Sequence, residues 1–287
     1  MKDYLEHYEG KIYALSPIYV GSGEKIKKNA YIYAPRNHRV VIPDIEKMYT
    51  ALRKKGLERE FTSYLMSSGD RGPSLAQWLG SHGISEKEWR EWKRYEMDAG
   101  EAFLQLGPRK KSSDIDGFCR DGYGMPYVPG SSIKGMLRTA LLASEIENNP
   151  EKYKRIALEI SEKSQERAKR IPDRACLMKE TQKLEQQAFY TLGREQRLNS
   201  AVNDHMAGLL VGDSEPIDLE QLTLSQKIDV TLNGEEKPLP ILRETLKPGT
   251  EIRFSLTIDR TLCPYSIEKI ESALDQFQKT CYDNFYM

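Results

Sequence analysis

The chain has 287 residues and a mass of 33.0 kDa, enough for one large domain or two ordinary ones. Charged residues make up 30% against an average near 25% in globular domains, and mean hydropathy is −0.64, so the composition predicts long solvated helices around a modest core; no stretch approaches the roughly 20 apolar residues that a membrane helix needs. Net charge is zero but unevenly spread: Lys25 to Lys55 holds nine basic residues against Asp44 and Glu46, while Asp204 to Met287 holds 15 acids against eight bases. Such a basic front can hold a polyanion, or it can be a solvated face.

Residues 8–18 read as a first strand, with Pro17 ending it, and Val20-Gly-Ser-Gly-Glu24 as the loop that follows. Tyr31–Ala34 and Arg39–Ile42 form a hairpin around Pro35-Arg-Asn-His38. A helical block is expected from Asp44 to Leu106, with Ile45, Met48, Tyr49 and Leu52 at helical spacing and Trp78, Trp89 and Trp92 as core. Gly107 to Met125 reads as loop. A helix then starts at Pro129-Gly-Ser-Ser-Ile-Lys134, with Ile133, Met136, Leu137, Ala140 and Leu141 on one apolar stripe and Lys134 and Arg138 sharing its flank. Residues 151–200 read as charged helical insertions.

Gly208-Leu-Leu-Val-Gly212 predicts a short buried strand. Ile252, Phe254, Leu256 and Ile258 alternate in a half-buried antiparallel strand, and Ser266 caps a last helix with Ile267, Ile270, Leu274, Phe277 and Cys281 on one face. Stripped of insertions the order is β-α-β-β-α, part of a ferredoxin-like or RRM-like α+β unit. Its usual final strand, which pairs with the first, has no counterpart before Met287, so another chain or a further C-terminal segment is expected to cover that edge. The resulting division is 1–43 (first strand, Gly-Ser-Gly loop and hairpin), 44–106 (helical insertion), 107–150 (loop and first core helix), 151–205 (charged insertion) and 206–287 (remaining strands and second core helix).

Two Gly/Ser elements carry chemistry. Glycines in Gly21-Ser22-Gly23 let backbone N–H groups approach an anion, with Lys25, Lys27 and Lys28 close behind. At Gly130-Ser131-Ser132-Ile-Lys134 the free N–H groups of a helix start, its dipole, Lys134 and Arg138 suit a phosphate backbone. A tight turn and an ordinary helix cap explain the same residues. The order Lys134-Gly135-Met136 is not that of a nucleotide-binding P-loop. His7, His38, His82 and His205 share no metal-ligand spacing, and Cys119, Cys176, Cys263 and Cys281 form no Cys-x-x-Cys pair; no catalytic residue, metal or cofactor is expected, and the thiols suit a reducing cytoplasm.

Ser16-Pro-Ile-Tyr-Val-Gly-Ser-Gly-Glu24, Tyr127-Val-Pro-Gly-Ser-Ser-Ile-Lys-Gly-Met-Leu-Arg-Thr-Ala140 and Gly208-Leu-Leu-Val-Gly-Asp-Ser214 occur in this order. Together with Lys247-Pro-Gly-Thr-Glu-Ile-Arg-Phe254 they resemble the RAMP proteins of type III CRISPR effector complexes, and the overall pattern is most similar to the fifth Csm subunit of type III-A. The resemblance implies a non-enzymatic, RNA-binding subunit in antiviral defence. It would cap the backbone filament at the 3′ side of the CRISPR RNA, beside the neighbouring backbone RAMP subunit and other Csm subunits, within reach of target RNA. A RAMP-type endoribonuclease that processes CRISPR RNA, or the equivalent subunit of a type III-B complex, are the competing expectations. The sequence departs from the family pattern at Tyr19, where the family has His, and Lys25–Asn29 lacks the cleaving Asp of the sister backbone subunit.

Overall fold

The computed structural model describes residues 4–67, 72–100, 102–103, 114–167, 177–197, 200–231 and 233–285. In chain order its elements are β1 (Leu5–Tyr13), β2 (Gly21–Ile26), β3 (Ile32–Ala34), β4 (Arg39–Pro43), α1 (Ile45–Lys54), α2 (Glu58–Ser67), α3 (Leu75–Ser81), α4 (Glu86–Arg90), β5 (Lys93–Asp98) and β6 (Ile115–Phe118). Then follow α5 (Gly130–Asn148), α6 (Pro150–Arg167), α7 (Met178–Phe189), β7 (Leu209–Ser214), β8 (Leu222–Val230), β9 (Glu236–Leu246), β10 (Glu251–Asp259) and α8 (Ile267–Phe285). These fall into two compact units, each discontinuous in sequence.

The first unit comprises Met1–Gly10, Pro129–Asp213 and Arg253–Met287. Its three-stranded sheet has the order β1-β10-β7, so with α5 and α8 it is the expected β-α-β-β-α core. The alternation of β10 is realised: Ile252, Phe254, Leu256 and Ile258 are all buried. Ile133, Leu137, Ala140 and Leu141 of α5 and Ile270 and Ala273 of α8 are buried as well, each large side chain contributing about 1.5–3 kcal/mol of hydrophobic stabilisation. Met136 is the exception on the α5 stripe. It is 38% exposed, outside the face on which Ile133, Leu137, Ala140, Leu141 and Ser144 are buried. Ser144 Oγ donates to Gln276 Oε1 at 2.7 Å and ties α5 to α8. The charged insertion is helical, as α6 and α7, anchored by buried Tyr153, Ile156 and Phe189. β1 begins and ends earlier than 8–18, and Pro17 lies outside it.

The second unit comprises Lys11–Val128 and Ser214–Ile252. Its seven-stranded sheet has the order β2-β6-β9-β8-β5-β4-β3. The β3–β4 hairpin is as expected, with His38 left-handed at φ 55° in its turn. Asp44 caps α1 by accepting the Lys47 N–H at 3.1 Å, and Ser74 and Gln77 form a capping box at α3. Trp78, Trp89 and Trp92 are buried with Ile32, Val41, Met48 and Leu52 in one cluster, the core role their size implies.

Five strands differ from the reading above. Gly21-Ser-Gly23 is not a loop but the start of β2, paired to β6 with a bulge between Gly21 and Lys25. The helical block gives way to strand β5, where Tyr95 and Met97 turn inward. β6 occupies part of the expected 107–125 loop, whose residues 107–113 lie outside the described residues, as does Cys176. β8 and β9 form a long hairpin closed by Thr231 N–H to Glu235 O and Gly234 N–H to Thr231 O, both 2.9 Å.

Candidate functional site

The start of α5 is built as a helix terminus, but its charge is spoken for within the chain. The Gly130 N–H donates to Asp213 Oδ1 at 2.8 Å, so a carboxylate already sits at the dipole's positive end. Gly130 is obligatory there, since any Cβ would overlap the Val211 carbonyl oxygen. Ser131 and Ser132 are exposed and Lys134 is half-buried. Burial pushes the Lys134 ammonium below its ordinary pKa; the Asp204 charge opposes it, and the charge of Arg138 adds a smaller push in the same direction as burial. Arg138 itself donates to Glu185 Oε2 at 3.1 Å and Asp204 Oδ2 at 2.8 Å, with its guanidinium carbon 4.2 Å from the centre of the Phe189 ring. Beside it His205 is buried, its Nδ1 2.8 Å from Thr191 Oγ1, and burial lowers its pKa. Arg138 is therefore a buttress between α5, α7 and the Asp204 turn.

Six of the nine cations of the basic stretch, all but Lys28, Arg36 and Lys54, likewise meet a carboxylate. Lys25 pairs with Asp116 at 3.3 Å and Lys27 with Asp114 at 2.9 Å. Arg39 faces Glu96 and Asp98, Arg53 faces Glu58, and Lys55 faces Glu88. Lys28 is buried, its Nζ donating to the Gly72 carbonyl at 3.0 Å and its N–H to Asp114. At Gly21-Ser22-Gly23, which are exposed, Ser22 Oγ donates to the Gly117 carbonyl at 3.3 Å and accepts from the Glu24 N–H at 3.1 Å.

What the sequence reading missed lies beside that bulge. Ser22, Glu24 and Lys25 line a cavity of about 560 Å³ whose other walls are Arg94, Arg120 and the 117–124 backbone. At its base Glu244, fully buried on β9, accepts from Tyr95 Oη at 2.5 Å, from Arg120 Nη2 at 2.9 Å and from the Phe118 N–H at 3.0 Å. Burial and the Glu244 charge hold the Tyr95 hydroxyl well above the usual tyrosine range, so it stays a donor. Arg120 Nη1 donates to the Gly124 carbonyl at 2.9 Å, and Asp121 Oδ1 accepts the Tyr123 and Met125 N–H groups at 2.9 and 2.8 Å. The buried carboxylate thus fixes an arginine, and the arginine fixes a tight turn. The signal was present: Leu242, Glu244 and Leu246 share one inward face of β9, where an acid is out of place unless paired.

Among the described residues no group of three or more His, Cys, Asp and Glu side chains could hold a metal ion. None of the described helices is long and apolar enough to cross a membrane. Cys119, Cys263 and Cys281 are free thiols.

A β-α-β-β-α core with helical insertions is the architecture of RAMP proteins, and the RAMP superfamily model matches residues 11–285, so the chain belongs to that superfamily. Its curated relatives are Csm5 proteins of CRISPR systems. The Streptococcus thermophilus protein is 27% identical over 290 residues, covering 100% of this chain and 73% of the relative. The Enterococcus italicus protein is 28% identical over 283 residues, covering 94% of this chain and 64% of its own length. In fold, the chain is similar to the crystal structure of T. onnurineus Csm5 (TM-score 0.60, 19% identity, covering 94% of this chain and 70% of that one). A chain in a cryo-EM structure of a type III-A Csm–crRNA–target RNA ternary complex gives a TM-score of 0.57 at 21% identity, covering 88% of this chain and 64% of that one.

Proposed function

We propose that this chain is an RNA-binding, non-catalytic subunit of a type III-A CRISPR interference complex. In this reading it works in the cytoplasm, in antiviral defence, and caps the backbone filament at the 3′ side of the CRISPR RNA. The observation that carries it is the RAMP superfamily match over residues 11–285 together with Csm5 relatives aligned along 90–100% of the chain. Its partners are the CRISPR RNA, the neighbouring backbone RAMP subunit, the other Csm subunits through the assembled complex, and target RNA. A non-catalytic role is supported by where the histidines sit: His205 is buried against Phe189 and Tyr265, and His82 stacks on Trp78.

The test is co-purification of the full chain with its partner subunits, followed by sequencing of the bound RNA. The expected result is CRISPR RNA in a complex that loses 3′ coverage of that RNA when this subunit is omitted. Recovery of the chain free of RNA and of other subunits would overturn the reading. Incubation with repeat RNA and a chelator addresses the nuclease alternative, and intact RNA is the expected outcome.

A further inference from the structure

Among the described residues of the second unit Arg36, Lys54, Arg59, Lys87 and Arg94 meet no carboxylate within ion-pairing distance, and of these five Arg94 is the one that lines the 560 Å³ cavity. What sets it apart is a second guanidinium beside it. Arg94 Nη2 stands 2.5 Å from the point where a Cβ on Gly124 would lie, and Arg120 Nη1 donates to the Gly124 carbonyl at 2.9 Å. Both guanidiniums thus bear on one glycine, left-handed at φ 83°, which has no side chain to hold Arg94 off. The Tyr95 hydroxyl feels both. Burial and the Glu244 charge raise its pKa, and the charges of Arg120 and Arg94 each pull against that rise.

For these two like charges the fold supplies one counter-charge. Glu244 is fully buried, and its oxygens are taken by Arg120 Nη2, Tyr95 Oη and the Phe118 N–H. Asp121 Oδ1 is engaged inside its own turn by the Tyr123 and Met125 N–H groups, and Lys25 is matched by Asp116 at 3.3 Å. Glu24, the remaining acid of the wall, is exposed and makes no ion pair with either arginine. Arg120 is also set in place, its guanidinium carbon 4.6 Å from the centre of the Tyr95 ring. A fixed guanidinium and an exposed one on the same glycine match an anion with several free oxygens, since each planar fork can donate to a different oxygen of one phosphate.

We propose that Arg94 and Arg120 form a phosphate-binding site at the Gly124 wall of this cavity, with Arg120 the pre-set donor and Arg94 completing the site from its exposed side. The phosphate group belongs either to the backbone of single-stranded RNA, an assignment that rests on the RNA-binding reading above, or to a free nucleotide.

The test has two arms, both on the full chain. In the first, thermal unfolding midpoints are measured in inorganic phosphate and in chloride at equal ionic strength. Phosphate also stabilises folded proteins through exclusion from their surface, so the readout is the difference between wild type and variant. Arg94→Ala is expected to shrink the phosphate-dependent rise, and Arg36→Ala, which removes an unpaired cation outside the cavity, to keep it in full. In the second, fluorescence anisotropy follows a labelled single-stranded RNA across a salt series. Arg94→Ala is expected to reduce the salt slope by about 0.7, the loss of one phosphate contact to a single strand. Arg36 and Arg94 are both exposed, so neither change threatens folding. A smaller phosphate response with an unchanged RNA slope keeps the site and assigns it to a free nucleotide. An equal phosphate response in wild type and Arg94→Ala, or the same loss in Arg36→Ala, overturns the site whatever the RNA slope does. If the wild-type chain binds no RNA, the RNA-binding reading falls, and the phosphate arm still decides the site.

Discussion

Two arginines beside Gly/Ser motifs meet opposite fates. Arg138, about two turns into α5, is held by Glu185, Asp204 and Phe189. Arg94, on the wall of the cavity beside the Gly21-Ser-Gly23 bulge, has no acidic partner among the described residues. In the linear sequence Arg138 looks like the ligand and Arg94 is lost in a Trp-rich block. A cation is available to a polyanion only if the fold has not already supplied its counter-ion, and counter-ions come from residues distant in sequence. Asp114 and Asp116 neutralise Lys27 and Lys25 from some 90 residues away in just this manner.

Breaking the internal pairs should show which charges are structural. The largest effect is expected for Arg120→Ala, which strands the fully buried Glu244 carboxylate and should cost about 3–5 kcal/mol in urea unfolding. Replacing Arg120 and Glu244 together with Met and Leu should recover only part of that loss, because it removes the stranded charge but leaves the buried Tyr95 hydroxyl and Phe118 N–H without their acceptor. Arg138→Ala should lower stability by about 2 kcal/mol through its lost charged hydrogen bonds and leave the salt dependence of RNA binding unchanged; a slope reduced by about 1 would restore Arg138 as a phosphate ligand.

A smaller effect should appear with pH. Burial lowers the His205 pKa below its ordinary 6.5, so the unfolded state takes up this proton first and stability falls as pH drops below about 6.5. Unfolding midpoints followed from about pH 8 to about pH 5.5 should show this acid-side slope in the wild type and a shallower one in His205→Gln. The smallest effect is expected for Lys27→Ala. Its pair with Asp114 is largely exposed, so stability should change by about 1 kcal/mol or less, and RNA affinity should hold across salt concentrations.

The parts of the fold legible in sequence are those where burial is one-sided. The β10 alternation, the α5 seam, α8 and the β3–β4 hairpin each carry a period that one buried face imposes. β2 carries none. Five of its six residues are exposed and the strand is defined by its pairing with β6 alone, so its glycines read as loop. β5 starts with two exposed basic residues directly after Trp89 and Trp92, and its short inward pair, Tyr95 and Met97, continues a helix-like run. For β8 and β9 a signal existed in Asn233-Gly234, whose glycine takes φ 78°, a turn dipeptide between strands that carry mostly polar outer halves. The candidate site was half legible. Ser22 and Lys25 do line the cavity, but Arg94, Arg120 and Glu244 join them only through the sheet order β2-β6-β9 and the β4–β5 pairing.

The first sheet also sets a clock. β1 is completed by β10, and the His7–Thr257 hydrogen bond that joins them spans 250 residues. At a ribosomal rate of about 5–20 residues per second, roughly ten to fifty seconds separate synthesis of the first strand from that of its partner. Throughout that interval Leu5–Tyr13 is a strand without a sheet, and Gly10 waits for the Phe254 ring that packs over it. The first unit therefore assembles last, after the chain that forms the second has already emerged, and an early-acting holdase or a slow codon run before residue 251 should alter its yield more than that of the second unit.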